Sequence, residues 1–359
     1  MFVRLMNCMR PELGFRPLQH HLRLSARHTL GWALPTLLLW TGCGGEAAPP
    51  ATNGGDSAAL ADPFPSSPPD GAVAEAASTA GDYRPSAAIV PSTDIWLARL
   101  VATGSGLTLQ DLRNVTNRDG YDNQPSFSPD GDALYYVSAI DTIQTEVFRY
   151  DILSDRTEQI THTPDASEFS PTFIPDQDAF SVTHEAQDLQ HLWRHRSDGS
   201  EIGPIFGSAR PVGYHAWGND EWVAMFILGD PATLQVGNAV TGDVRVVAER
   251  PGRSIHRIPG TEHISFVRMI ADDEWSIERL DPISGESERL TLTIPGREDY
   301  AWTPDGGILM GDGKTLHVWR SDSGWSEVAD LSGDETGEIS RVAVAPDGTL
   351  VAIVMDRGG

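Results

Sequence analysis

The chain has 359 residues, of which 40% are hydrophobic and 21% charged, a composition typical of a globular protein that can bury a substantial core. Its 51 acidic residues outnumber 26 basic ones, giving a formal net charge of -25. This charge would repel a polyanion at long range, so we expect no nucleic-acid partner.

The first predicted element is a secretion signal over residues 1–42. Five arginines and one glutamate come before an apolar run from Leu30 to Trp40, which is shorter than the roughly 20 residues of a membrane-spanning helix. The following Thr41-Gly42-Cys43 resembles a bacterial lipoprotein box, and that resemblance implies acylation of Cys43, which would become the mature N-terminus. The alternative is an ordinary signal peptide that is cleaved nearby.

Residues 43–87 form the second predicted element, a disordered tether. They are mostly Ala, Gly, Pro, Ser and Asp, with hardly any large apolar residue. Such a segment cannot bury enough apolar surface to offset its ordering entropy. We expect the tether to hold the folded domain away from a membrane to which Cys43 is anchored.

The third element, residues 88–359, repeats one pattern six times. Each copy has two alternating apolar runs around a turn, as in "PSFSPDGDALYYVS" from Pro125, and successive turns are 40 to 46 positions apart. Pro-Asp-Gly suits a type I turn because Pro fixes φ and Gly accepts a left-handed conformation. The aligned turn residues are Pro129, Pro175, Asn219, Pro259, Pro304 and Pro346.

A third and a fourth run follow each hairpin and complete a four-stranded blade of about 44 residues. The sixth hairpin, from Val342, lacks them, but "DIWLARL" from Asp94 and "LQDLRNVT" from Leu109 match the missing pair. The predicted fold is therefore all-β, a six-bladed β-propeller in which N-terminal strands complete the last blade and leave no open sheet edge.

The segments "QPSFSPDGDALYYVS", "TEVFRYDI" and "RTEQITH" resemble the WD40-like repeat of the TolB-like propellers, over residues from about 90 to the end. The third and fourth copies depart from Pro-Asp-Gly. This resemblance implies the fold, and it implies either an envelope binding protein or the non-catalytic propeller of a peptidase.

The first strand of each blade is expected to line a central channel. The residues five and three positions before each turn residue share one strand face, and that face is predicted to point into the channel. We expect Asp299 and Arg341 to pair across neighbouring blades. The predicted ligand-binding residues at the channel mouth are Gln124, Tyr214, His215, His256, Asp299 and Arg341.

Catalytic signatures are scarce in the sequence. It has no Gly-x-Ser-x-Gly elbow, no phosphate loop and no HExxH motif, and its two cysteines form no zinc-binding spacing. We therefore predict no catalytic residue, no metal site and no cofactor. The competing hypothesis is a peptide or saccharide hydrolase or lyase that uses His215, His256, Asp299 and Arg341.

The sequence favours a non-catalytic cell-envelope lipoprotein that binds or scaffolds an envelope protein segment or a small polar ligand at the channel mouth. We expect a monomer with a lipid anchor. Gly44 after the acylated cysteine, rather than Asp, fits sorting to the outer membrane, with the propeller on its periplasmic or surface face.

Small apolar and polar residues should form the channel wall, and bulky ones should pack between blades.

Overall fold

A computed structural model describes residues 92–357 except 105, 140–143, 188, 273 and 334–335. The predicted signal, Cys43 and the tether lie outside the described residues. Those that are described form six antiparallel four-stranded sheets. No helix in this part of the chain could cross a membrane.

Blades 1 to 3 each contain four consecutive strands, numbered here in chain order. Blade 1 contains β3 Asp122–Phe127, β4 Ala133–Ala139, β5 Thr145–Asp151 and β6 Arg156–Gln159. Blade 2 contains β7 Ser167–Phe173, β8 Ala179–Ala186, β9 Leu189–Arg196 and β10 Glu201–Pro204. Blade 3 contains β11 Val212–Trp217, β12 Trp222–Ile227, β13 Thr233–Asn238 and β14 Val244–Glu249.

Blades 4 and 5 follow the same order, and blade 6 joins the two ends of the domain. Blade 4 contains β15 Pro251–Arg257, β16 Ile264–Met269, β17 Trp275–Leu280 and β18 Ser287–Leu292. Blade 5 contains β19 Tyr300–Trp302, β20 Ile308–Asp312, β21 Thr315–Arg320 and β22 Gly324–Asp330. Blade 6 contains β23 Ile339–Val344, β24 Leu350–Asp356, β1 Thr93–Thr103 and β2 Gly106–Asn114.

The predicted Pro-Asp-Gly turn is present between β3 and β4. Gly131 has φ of 79° there, and its amide donates to Ser128 O at 2.9 Å. The Ser128 hydroxyl donates to Asp130 Oδ1 at 2.6 Å, which fixes the turn from its side chains. Glycine is needed because a side chain strains a backbone with positive φ.

Bulky residues of the first strands pack between blades, as expected. Trp217 of blade 3 is 2% exposed and donates its indole N–H to Ser181 Oγ of blade 2 at 2.9 Å. Trp302 of blade 5 donates in the same way to Ser265 Oγ of blade 4 at 2.8 Å. One buried serine in the second strand of a blade therefore receives the indole of the next blade.

Closure of the ring occurs in blade 6, as predicted. Strand β1 lies between β2 and β24, with Ile95 opposite Val354 and fully buried in the core shared by blades 6 and 1. The amide of Arg357 donates to Ser92 O at 3.0 Å, so the two ends of the described domain are joined by a hydrogen bond.

Ile95→Ala should lower the free energy of unfolding by about 2–5 kcal/mol, because it opens a cavity in the core that closes the ring. Denaturant unfolding of both proteins measures this difference. The control, Leu153→Ala, truncates a side chain that is 95% exposed and should change stability by less than about 0.5 kcal/mol. Equal effects of the two substitutions would contradict the role of β1 in closure.

Candidate functional site

The first strands of all six blades surround a central cavity of about 940 Å³. In five of the six blades the pairing register of the first strand shifts close to the residue five positions before the turn residue. Gln124 and Ser170 occupy that position in blades 1 and 2, and each has φ of 55°. Such β-bulges redirect a side chain and often occur beside functional sites.

Two of the predicted residues meet across the channel. The Arg341 guanidinium of blade 6 lies over the Tyr214 ring of blade 3, with Cζ 5.5 Å from the ring centroid. Blades 3 and 6 face each other in a six-membered ring, so this cation–π contact bridges the opening. We call it the cross-channel bridge.

Asp299 of blade 5 lies beside the cross-channel bridge. Its Oδ1 is 3.8 Å from Arg341 Nη2, so the expected pair of neighbouring blades is present. Burial raises the pKa of the Asp299 carboxyl, and the positive charge of Arg341 acts against that rise. Burial also raises the pKa of the nearby Tyr121 phenol to about 12, so this hydroxyl stays protonated.

Two further interblade contacts hold the same end of the channel. Glu298 accepts from Arg253 Nε at 2.6 Å and from the Arg253 backbone amide at 2.8 Å, which joins blades 4 and 5. Gln124 Oε1 accepts from the Ser170 amide at 2.6 Å and joins blades 1 and 2. Gln124 therefore has a structural contact as well as a place on the channel wall.

The two predicted histidines have different surroundings. His256 lines the cavity with Nε2 2.9 Å from Ser254 Oγ, and its ring contacts Tyr300 edge-on at 4.6 Å. His215 is 5% exposed, and its Nε2 lies 2.7 Å from the Ser181 hydroxyl that also binds Trp217. The structure thus brings all six predicted residues around the cavity, namely Gln124, Tyr214, His215, His256, Asp299 and Arg341. The His215 ring also contacts blade 2 through Ser181.

Two serine–histidine contacts, Ser181 with His215 and Ser254 with His256, resemble a nucleophile and its base. Burial lowers the pKa of His215 to about 3. Burial, together with the positive charge of Arg341, lowers the pKa of His256 to about 3. A general base is effective when its pKa lies near the working pH, so each imidazole is a weak proton acceptor. Among the described residues no three His, Cys, Asp or Glu side chains form a group that could hold a metal ion.

A buried charged group in blade 2 was not predicted from the sequence. It contains His195 of β9, which is 0% exposed. Its Nε2 is 2.8 Å from Oε1 of Glu168, also fully buried, and its Nδ1 is 3.2 Å from Gly199 O. Both ring nitrogens face acceptors, so an ionised Glu168 requires the imidazolium form.

The pKa shifts in this group agree with a buried ion pair. Contacts with His184 and His195 overcome burial and lower the pKa of Glu168 to about 2, whereas Glu168 raises the pKa of His195. Glu168 contributes fully to stability above pH 4.5, the pKa of an unfolded glutamate. His195 contributes fully below pH 6.5, the pKa of an unfolded histidine. The pair therefore stabilises blade 2 most between these values.

His195→Phe should cost about 3–5 kcal/mol near pH 6, since it leaves a buried carboxylate without its cation. The difference from the unsubstituted protein should shrink as the pH rises through the raised pKa of His195 and as it falls toward the pKa of Glu168. Denaturant unfolding at several pH values measures it, with the exposed His162→Phe as control. A difference that stays constant from pH 6 to pH 10 would contradict the ion pair.

No protein-family model and no curated protein sequence matches the chain. Solved structures do match. A putative TolB from Agrobacterium tumefaciens aligns with TM-score 0.60 and 15% identity over 75% of this chain and 99% of its own. The described domain has the six-bladed propeller fold of TolB. At this identity the likeness to TolB concerns the fold.

Two other solved structures align with lower TM-scores. A chain of a nidogen/laminin complex aligns with TM-score 0.51 and 10% identity over 66% of this chain and 92% of its own. An oligogalacturonate lyase in complex with manganese aligns with TM-score 0.48 and 15% identity over 70% of this chain and 82% of its own. The lyase alignment has too low a TM-score to support an inference about chemistry.

Proposed function

We propose that this protein is a non-catalytic cell-envelope lipoprotein whose propeller binds a protein segment or a small polar ligand at the channel mouth. The observation that carries the proposal is the central cavity of about 940 Å³, which is large enough for a ligand and has charged and hydrogen-bonding side chains on its wall. The residues assigned to binding are Gln124, Tyr214, His215, His256, Asp299 and Arg341.

The low pKa of His256 favours binding over catalysis. A hydrolase or lyase in this channel would need a group that takes up and returns a proton near neutral pH. The partly buried imidazole of His256 resists protonation, whereas as a neutral ring it remains a good hydrogen-bonding partner for a bound ligand. Loss of that hydrogen bond would weaken binding without any catalytic step.

The N-terminal sequence supports the location. A signal over residues 1–42, acylation at Cys43 and a tether over residues 43–87 would place a monomeric propeller at the outer membrane, on its periplasmic or surface face. A flexible chain of this length has a root-mean-square span of roughly 35–40 Å, enough to let the channel face partners at some distance from the lipid. Several acyl chains on one cysteine make a stable anchor.

Site-specific photocrosslinking tests the binding site. A photoreactive residue in place of Ser126, which lies on the channel wall, should give a discrete adduct in the producing cells, and one in place of Ser323, which is exposed on an outer turn, should not. Adding Arg341→Ala should reduce the Ser126 adduct several-fold, because it removes a charged group assigned to ligand binding. Equal adducts at the two positions would contradict a ligand in the channel.

Cell fractionation tests the anchor. Cys43→Ser should move the protein from the membrane fraction to the soluble envelope fraction, because serine cannot carry the acyl chains. Cys8→Ser, within the predicted signal, serves as control and should leave the protein in the membrane fraction. Membrane retention of the Cys43→Ser protein would refute lipidation at this cysteine.

A further inference from the structure

Asp299 and Arg341 are opposite charges that lie close together without a direct hydrogen bond. Their nearest charged atoms are 3.8 Å apart, beyond hydrogen-bond distance. The Arg253–Glu298 pair differs, because Glu298 there accepts from both the side chain and the backbone amide of Arg253. Carboxylate acceptors and guanidinium donors thus remain available at the Asp299–Arg341 pair, on the wall of the cavity.

The cross-channel bridge limits how a chain can occupy this cavity. The Arg341–Tyr214 contact joins opposite blades at the end of the channel where the first strands begin. The cavity extends to the other end of the channel, where turn residues such as Pro129 and Pro346 line it. A polypeptide that enters there meets this bridge in its path, at the mouth where Asp299 and Arg341 lie. It would therefore present a chain end to Asp299 and Arg341, rather than an internal segment that passes through.

Charge at the entrance favours one kind of chain end. Five blades place an exposed aspartate directly after the turn residue, namely Asp130, Asp176, Asp220, Asp305 and Asp347. Arg257 at the same entrance and the Arg320–Asp305 ion pair offset part of this charge. The remaining negative field attracts a cation and repels a carboxylate.

We propose that the channel recognises the free amino terminus of a polypeptide, with the terminal ammonium donating to the Asp299 carboxylate and the first carbonyl oxygen accepting from Arg341. This assignment rests on the proposed function, because it names the ligand of the same channel. An ammonium group and the carbonyl of the same residue are close enough to engage two groups that lie 3.8 Å apart. The ammonium would give the partly buried Asp299 the direct hydrogen bond that Arg341 does not supply.

A carboxyl terminus or an internal segment would match the charges of Asp299 and Arg341 less completely. A carboxyl terminus could bind Arg341, but it would lie against Asp299 and would have to pass the aspartates at the entrance. An internal segment has an amide hydrogen for Asp299, but no positive charge. The matched charges therefore favour an amino terminus over both.

The test uses the full-length chain and two mixed-sequence hexapeptide libraries. Both libraries have amidated carboxyl ends, and they differ only in having a free or an acetylated amino terminus. Immobilised protein should retain the free form at least about tenfold better than the acetylated form, as mass spectrometry of eluted peptides will show. Equal retention of both forms, or retention of neither, would overturn the assignment.

A third library, acetylated at its amino end and free at its carboxyl end, tests the opposite polarity. Its selective retention would overturn the assignment in favour of carboxyl-terminal recognition by Arg341. Ser126→Trp places a bulky side chain in the channel. If the unsubstituted protein retains free and acetylated forms equally and the Ser126→Trp protein retains neither, amino-terminal recognition is refuted and the binding function stays intact. Retention of all libraries by the Ser126→Trp protein would count against both.

Asp299→Asn tests the carboxylate directly. It removes the charge but keeps the shape, and the preference for free over acetylated peptides should fall to about onefold, while retention of acetylated peptides stays the same. Asp322→Asn makes the same change on an exposed outer turn and should preserve the tenfold preference. Thermal unfolding of both variants shows whether the ring is intact, and a folded Asp299→Asn protein that still prefers the free form would overturn the assignment.

Discussion

Closure of the ring by β1 is the constraint on which the rest of the structure depends. Each blade buries its bulky residues only against its neighbours, so a gap between blades 6 and 1 would expose two of these surfaces to water. Ile95 and Leu97 fill that gap from the N-terminal strand, opposite Val354 and Ala352 of β24. The channel residues come from six separate strands, and their mutual distances are fixed only while the ring is closed.

The channel site and the interblade cores use alternate residues of the same strands. In β11, Tyr214 faces the opposite blade across the channel, whereas His215 and Trp217 bind one serine of blade 2. In blade 5, Tyr300 and Trp302 bind Ser265 in the same way, at 2.7 and 2.8 Å. Side chains that support the wall and side chains that could bind a ligand are thus neighbours in sequence, so a change in either affects the position of the other.

Much of this architecture could be predicted because it follows from local signals. The regularly spaced turns predicted the hairpins, and the apolar runs from Asp94 and Leu109 predicted the closure of the ring. The approach of Asp299 to Arg341 was also anticipated, because both occupy the same place in adjacent repeats. Trp217 and Trp302 pack between blades because they lie on the opposite face of their strands from the channel row.

Other features depend on contacts between residues that are far apart in the sequence, which no local sequence pattern predicts. His215 lines the cavity as predicted, but its contact with Ser181 of blade 2 depends on packing between blades. His195 is buried although it lies on a third strand, because Glu168 faces it from β7 and the Gly199 turn packs closely on Ile160 of blade 1. The left-handed backbone of Gln124 and Ser170 arises at bulges, which depend on pairing between strands and not on alternation within one.

The hydrogen bond between Arg357 and Ser92 has a consequence for the way the chain is connected. Because the first and last described residues meet at one place, a short peptide linker could join them, and the chain could be opened at another exposed turn instead. In such a circular permutant, covalent bonds would replace the noncovalent join of β1 and β24, and a different blade would hold the two ends. The first strands of all six blades would still form the channel, so the chain ends could lie at a different blade without changing the channel wall.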